Sequence, residues 1–472
     1  MQIFNKLTTL GMLVILTVVS FSCDTEKKSE NTVIKGIVDG AAGNTALIVN
    51  ENPFNPTTDT VKFDDNGTFV LNLEIETPKY YTIELGRTHM VLFIRPGDSL
   101  IFNAKSNSIF NTVVYSGSAA VYNDYIINMT KISGNYQSKL FDIFSKDEVT
   151  VTRSIDSLRA VHADEIALMQ KNFSDLNPFF LKMEKARIIY EWALYHRIYP
   201  DYYEYLNKGE SAVISPEFDT YLAETSLNDE ELIDLPIYLK FLEAYLRTEF
   251  SEYAKPEIKE EFKSHITFEL NIINKNIESK KLKSILVYNT VNQQVKYDGI
   301  KDYDLYWDSF VELCDNDAFI NRIKEKLKDW EYLKKGMPAK DFSYESIDGE
   351  KISLTSFKGK WVYIDIWATW CNPCIGEIPK LKELEEKFHG KDIVFMSISV
   401  DRTQEPWKKM LAENEMKGVQ LWAGQDPIIK DFYRVNGIPR FMIIDPETNI
   451  YEVSADRPTM GVETTLEKLL AQ

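Results

Sequence analysis

Trp361-Val362-Tyr363-Ile364-Asp365-Ile366-Trp367-Ala368, followed by Thr369 and Trp370-Cys371-Asn372-Pro373-Cys374, decides how the chain is read. The first eight residues are rich in β-branched and aromatic side chains and predict a strand. The motif after it predicts a turn into a helix, with two cysteines at the turn. Cysteines two residues apart at a helix N-terminus can close a disulfide locally. The first sits where unpaired backbone N–H groups and the positive end of the helix dipole favour thiolate over thiol. Cys371 is therefore expected to be the attacking sulfur. Cys374, one turn later and facing the body of the domain, is expected to resolve a mixed disulfide formed at Cys371.

A zinc site is the competing reading of such a pair, and it needs four ligands. The chain has four cysteines, the others being Cys23 and Cys314, and five histidines, none at a metal-ligand spacing from another. The expectation is a redox pair with no metal and no cofactor beyond the Cys371–Cys374 disulfide. Cys314, in Val311-Glu312-Leu313-Cys314, reads as a buried, inert thiol.

At 472 residues the chain exceeds what one core usually organises. Its formal net charge of −18 argues against nucleic acid and anionic membrane surfaces as ligands. Residues 1–22 read as a targeting segment, with Lys6 in the n-region and an apolar stretch from Leu10 to Phe21. Cys23 follows Ser20-Phe21-Ser22 and resembles the acylated cysteine of a bacterial lipobox, from which Phe21 departs because a small residue is usual there. Residues 23–31 then form a charged tether. The expected location is the periplasmic side of a bacterial membrane, anchored at Cys23.

Residues 32–117 alternate apolar and polar positions in short runs separated by Asp39-Gly40, Asn66-Gly67 and Pro96-Gly97-Asp98, the pattern of an all-β sandwich. They resemble a β-domain of unknown function found ahead of thioredoxin-like domains in Bacteroidetes lipoproteins. Over residues 118–335 the period changes to about 3.6 residues and predicts an α-helical domain. Helices are expected at 154–171, 178–197, 235–250, 256–278 and 318–332. A run of tyrosines, Tyr190, Tyr195, Tyr199, Tyr202, Tyr203 and Tyr205, is expected to serve packing or an interface rather than a ligand cage.

From Gly336 strands and helices alternate, the pattern of a sheet covered by helices. Gly336-Met337-Pro338-Ala339-Lys340-Asp341-Phe342, Trp367-Ala368-Thr369-Trp370-Cys371-Asn372-Pro373-Cys374, Glu377-Ile378-Pro379 and Gly437-Ile438-Pro439-Arg440-Phe441 together resemble the TlpA/ResA family of extracytoplasmic thioredoxin-like proteins. The resemblance spans residues 336–472 and implies a thioredoxin-like fold. It implies that Pro439 is a cis-proline beside the disulfide and that Ile438 offers its backbone to an extended substrate segment. It places Glu377 near the pair as an acidic residue that tunes the thiols. Asp365 departs from the family, which more often has an uncharged residue at that strand position, and matches thioredoxin itself, which has a buried aspartate there; a raised pKa is expected, and a role in taking the Cys374 proton. Trp370 is expected to shield the Cys371 sulfur and offer an apolar contact, and Trp367 to lie in the core.

The whole reads as a multidomain protein: an all-β sandwich-like domain, an α-helical middle domain and a C-terminal α/β thioredoxin-like fold. The resemblance implies a lipid-anchored thiol-disulfide oxidoreductase reducing protein disulfides, such as those of apocytochrome c, with electrons from a membrane thiol donor of the CcdA/DsbD kind. Two alternatives stay open. One is a binding or scaffold lipoprotein with an auxiliary redox domain; the other is a thiol peroxidase, whose Pro-x-x-x-Thr-x-x-Cys setting is absent around Cys371.

Overall fold

The computed structural model describes residues 32–471, so the signal segment, Cys23 and the tether lie outside the described residues. Contacts divide the chain into two units, one ending at Asn135 and one beginning at Tyr136.

In the first unit, strands β1 (Thr32–Asp39), β2 (Thr45–Asn50), β3 (Thr57–Lys62), β4 (Thr68–Leu73), β5 (Lys79–Leu85), β6 (Thr88–Ile94), β7 (Ser99–Lys105) and β8 (Val114–Ser116) form two four-stranded sheets. Their orders are β4-β1-β7-β8 and β3-β2-β5-β6. Alternation explains the packing: Ile34, Leu100 and Phe102 from one sheet meet Ile48, Ile83 and Leu92 from the other in a single apolar core. Two sheets closed over one core make a sandwich. On β1, Gly36 pairs with Phe69 of β4 and Phe102 of β7, and a Cβ there would lie 2.3 Å from the Phe69 ring. The missing side chain lets the two rings cover the strand, edge to face at 5.9 Å.

Alternation does not reveal β3, Thr57-Thr58-Asp59-Thr60-Val61-Lys62, where only Val61 is buried. It is an edge strand, held by its backbone pairing to β2. Helix Ala120–Gln137 follows the strands. Its buried Asn123 accepts from the Phe93 N–H and donates to the Phe93 C=O, each at 3.0 Å, so the helix start satisfies backbone groups of the edge strand β6. Contacts therefore place this helix with the strands, although the composition changes at 117/118.

The second unit opens with helices that include Glu148–Asn172, Pro178–Leu206, Pro236–Ser251, Pro256–Phe262, His265–Asn276, Lys280–Asp298, Tyr303–Leu313 and Asp317–Lys328. Asp147, Asn177, Ser279 and Asn316 cap four of them with their side-chain oxygens. The single helix expected over 256–278 is two, broken at Lys263, which takes a left-handed φ of 57°. No 3.6-residue stripe marks Lys280–Asp298, because it buries residues on several sides: Ile285, Leu286 and Val287 are consecutive and all buried. Of the tyrosine run, Tyr190, Tyr195 and Tyr199 are buried, whereas Tyr205 is exposed. Phe144 lies edge-on to Tyr195, Tyr199 and Tyr202, and the buried Tyr190 hydroxyl bridges the Ser226 N–H and C=O at 3.0 and 3.1 Å.

The same unit ends in seven strands: β9 (Ser343–Ser346), β10 (Lys351–Ser353), β11 (Trp361–Trp367), β12 (Ile393–Ser399), β13 (Val419–Trp422), β14 (Arg440–Ile444) and β15 (Ile450–Glu452). They form one sheet in the order β10-β9-β13-β12-β11-β14-β15. Strand β11 lies inside it, parallel to β12 and antiparallel to β14, and is buried on both faces from Val362 to Trp367. Helices Asn372–Lys387, Gln404–Glu413 and Val462–Leu470 accompany the sheet.

Candidate active site

Strand β11 delivers the cysteines. It ends at Trp367, whose C=O accepts from the Val400 N–H at 2.9 Å, and the chain turns through Thr369 into the helix. Asp401 sets that turn: it is buried, and it accepts from the Thr369 N–H at 3.0 Å and from the Thr369 hydroxyl at 2.8 Å. The Ser399 hydroxyl supports the same carboxylate at 2.8 Å. Sequence reasoning did not single out Asp401. Its signal is a lone carboxylate just past an apolar strand.

Cys371 is the N-cap of helix Asn372–Lys387, and the Cys374 N–H points at its sulfur at 3.2 Å. The two sulfurs are joined in a disulfide. Free helix-terminal N–H groups at this sulfur stabilise negative charge on it once the bond opens. Cys371 and Cys374 sit in an apolar cluster with Trp367, Ala368, Trp407 and Leu411, against which Ile438 packs. The Ile438–Pro439 peptide is cis, directly before β14. Trp367 is in the core at 1% exposure, whereas Trp370 stands out at 68% beside a Cys371 exposed only 5%. Next to Trp370 runs a groove of about 490 Å³, bordered by Thr369, Val400, Asp401, Arg402 and Gln425.

Asp365 alternates with Tyr363 and Trp367 on one face of β11 and pairs in register with Ser397 and Phe441. It is buried. One carboxyl oxygen receives the Ser397 hydroxyl at 3.5 Å and the other has no hydrogen-bond partner. Burial pushes its pKa up to about 8, the Ser397 bond opposes the rise, and the charges of Glu377 and Glu385 add to it.

Glu377 is buried too, not solvated. Both its oxygens are engaged by Thr459, the N–H at 3.0 Å and the hydroxyl at 2.8 Å. A carboxylate expected to face the thiols is thus a tie between the cysteine-bearing helix and the segment before Val462. Cys314 is buried, and burial pushes its thiol up to about 11, which makes it a poor nucleophile. Among the described residues no group of three or more His, Cys, Asp or Glu side chains is placed to hold a metal ion. No helix among them is long and apolar enough to cross a membrane.

Residues 336–453 match the model of the AhpC/TSA family. The thiol-disulfide oxidoreductase ResA of Bacillus thuringiensis subsp. konkukian is 30% identical over 140 residues, which are 29% of this chain and 80% of that protein. ResA of Bacillus subtilis is 29% identical over 127 residues, 26% of this chain and 68% of the relative. The crystal structure of the thioredoxin domain of a thiol-disulfide oxidoreductase from Bacteroides vulgatus is 29% identical. It covers 29% of this chain and 99% of its own, with a TM-score of 0.28.

Proposed function

The chain belongs to the TlpA/ResA-like thiol-disulfide oxidoreductases, and from that premise we propose that it reduces protein disulfides outside the cytoplasm through Cys371 and Cys374. One observation carries the reading: a closed two-cysteine disulfide at a helix N-cap, packed in one apolar cluster with the residue before a cis-proline.

In the reduced enzyme the Cys371 thiolate attacks one sulfur of a substrate disulfide, forms a mixed disulfide and expels a substrate thiolate. Cys374 then gives up its proton and attacks Cys371, which restores the Cys371–Cys374 bond and releases the second substrate thiol. Asp365 is the carboxyl assigned to that proton. Burial lifts its pKa to about 8, far above the usual carboxylate range, so the carboxyl can take up and hold a proton near neutral pH. Glu377 acts as a positioning residue, holding the helix through Thr459. Ile438 offers its backbone to the substrate segment and Trp370 an exposed apolar face.

Two electrons leave the enzyme in each cycle, so a donor must reduce the pair again. A membrane dithiol of the CcdA/DsbD kind suits a protein tethered by lipid at Cys23. Turnover of insulin disulfides with dithiothreitol as donor tests the chemistry, and it should vanish in Cys371→Ser. Membrane fractionation of a Cys23→Ala protein tests the anchor; a variant that stays with the membrane sinks it.

A further inference from the structure

Within the second unit the helical region meets the C-terminal domain at the cis-proline loop. The Tyr297 ring lies against Gly437, where an added Cβ would come within 3.2 Å of it. The Asn436 side-chain amide donates to the Lys296 C=O at 2.7 Å. Asp298, the last residue of helix Lys280–Asp298, accepts from the Ser454 hydroxyl at 2.5 Å and stands 3.9 Å from the buried guanidinium of Arg440. Lys301 pairs with Asp456 at 2.6 Å. On the other flank, the Tyr332 hydroxyl donates to the Phe432 C=O at 2.9 Å and Arg434 pairs with Asp329 at 3.2 Å. Both sides of the loop that carries Ile438 and Pro439 are therefore held by helical residues.

The same helix end closes a cleft of about 770 Å³ in the helical region. Arg247, His265, Glu269 and Gln293 line it, and Tyr297 and Asp298 form its margin toward the loop. Tyr297 remains 39% exposed, enough to meet a ligand while it touches Gly437.

We propose that this cleft receives the polypeptide segment flanking the substrate's disulfide, so that the helical region selects which proteins are reduced; the inference rests on the proposed reduction of protein disulfides. A chain paired with the Ile438 backbone passes Gly437, which has no side chain, and next meets the Tyr297 ring and the mouth of the cleft. The lining offers carboxylate, amide, guanidinium and imidazole groups, which match peptide groups and polar side chains. Its volume lies within the roughly 300–1,000 Å³ of ligand sites and takes a few residues of extended chain. A folded domain does not fit. The occupant is an unfolded or looped segment with polar side chains next to its cysteine.

The test traps the complex in the full chain. In Cys374→Ser, Cys371 attacks an insulin disulfide and keeps it as a mixed disulfide, with one insulin thiolate released and no thiol to resolve the bond. Carrying a photoreactive benzophenone side chain at Gln293, this protein should crosslink to the trapped insulin; with the probe at Phe141, exposed and outside the cleft, it should not. Trapping with equal or absent crosslinking at Gln293 overturns the cleft as the docking site and leaves the reductase reading standing. Failure to trap insulin at all overturns both.

A kinetic measurement guards against a misfolded variant. Tyr297→Ala should lower the ratio of kcat/KM for insulin to that for 5,5′-dithiobis(2-nitrobenzoate) about tenfold, with Tyr297→Phe restoring most of it. An unchanged ratio, whether both rates fall or neither does, overturns the proposal.

Discussion

Asp98 in the β-sandwich and Asp365 in the C-terminal sheet are buried to similar degrees, at 3% and 6% exposure, and the fold treats them in opposite ways. Asp98 accepts from the Arg95 backbone N–H, from the Arg95 Nε and terminal nitrogen, and from the Ser118 hydroxyl, at 2.8, 3.0, 2.9 and 2.7 Å. Asp365 has a single hydroxyl at 3.5 Å and one oxygen with no partner. A buried charge with every lone pair satisfied is a structural element; one left short of donors keeps its proton near neutrality and can exchange it. The sandwich spends its polar groups on closing itself. The C-terminal sheet leaves one carboxyl, Asp365, short of donors.

The strongest way to sharpen that contrast is Cys371→Ser. Disulfide turnover should fall by about 10³-fold or more, with the urea midpoint of the first unit unmoved. Residual turnover near the wild-type rate would end the assignment of Cys371 as nucleophile. Next in size, Asp98→Ala should cost the first unit about 3 kcal/mol in urea unfolding, because the Arg95 guanidinium and backbone N–H and the Ser118 hydroxyl all lose the carboxylate they donate to. That is the low end for a buried pair, since the Arg95 side chain is 29% exposed. Disulfide turnover at 25 °C should stay at its wild-type value, and a matching loss of turnover would break the division of labour.

Asp365→Asn should slow the step that resolves the mixed disulfide by roughly 10²-fold and remove an ionisation near pH 8 from the rate profile. Stability should respond with a defined sign. The carboxyl's pKa is raised on folding, so its contribution is complete below about pH 4 and declines as pH rises through 8, by up to about 1.4 kcal/mol per unit. The asparagine variant should show a shallower decline, since the half-buried Glu269, Glu385 and Glu452, raised to about 7, keep their own share; equal slopes in variant and wild type between pH 5 and 8 would show Asp365 to be an ordinary carboxylate. The smallest effect is expected at Gly36→Ala, about 1–2 kcal/mol of strain against Phe69 and Phe102. Chemical denaturation of the same unit measures it.

Much of this was legible in the chain. The strand into Cys371 could be read because β11 is buried on both faces and so carries an uninterrupted apolar run. Asp365 stood out for the same reason, as a carboxyl in a stretch with no room for solvent. Other features left no local mark. Strand β3 is an edge whose stability comes from its partner's backbone, so Thr57–Lys62 shows no apolar alternation. Helix Lys280–Asp298 is buried on several sides and loses the stripe that would announce it. Glu377 reads from sequence as a residue one turn beyond Cys374, and only Thr459, 82 positions later, reveals where its carboxylate is spent.

Sequence alone determined the order of the fold classes and the placing of two sulfurs at a helix start, because side-chain periodicity and residue spacing are local properties of a chain. Tertiary structure decided what surrounds them. The donors denied to Asp365, the turn held by Asp401 and the seat of Tyr297 and Asp298 against the cis-proline loop all join residues distant along the chain. Burial and hydrogen-bond partnership are properties of the packed molecule, and no window of sequence contains them.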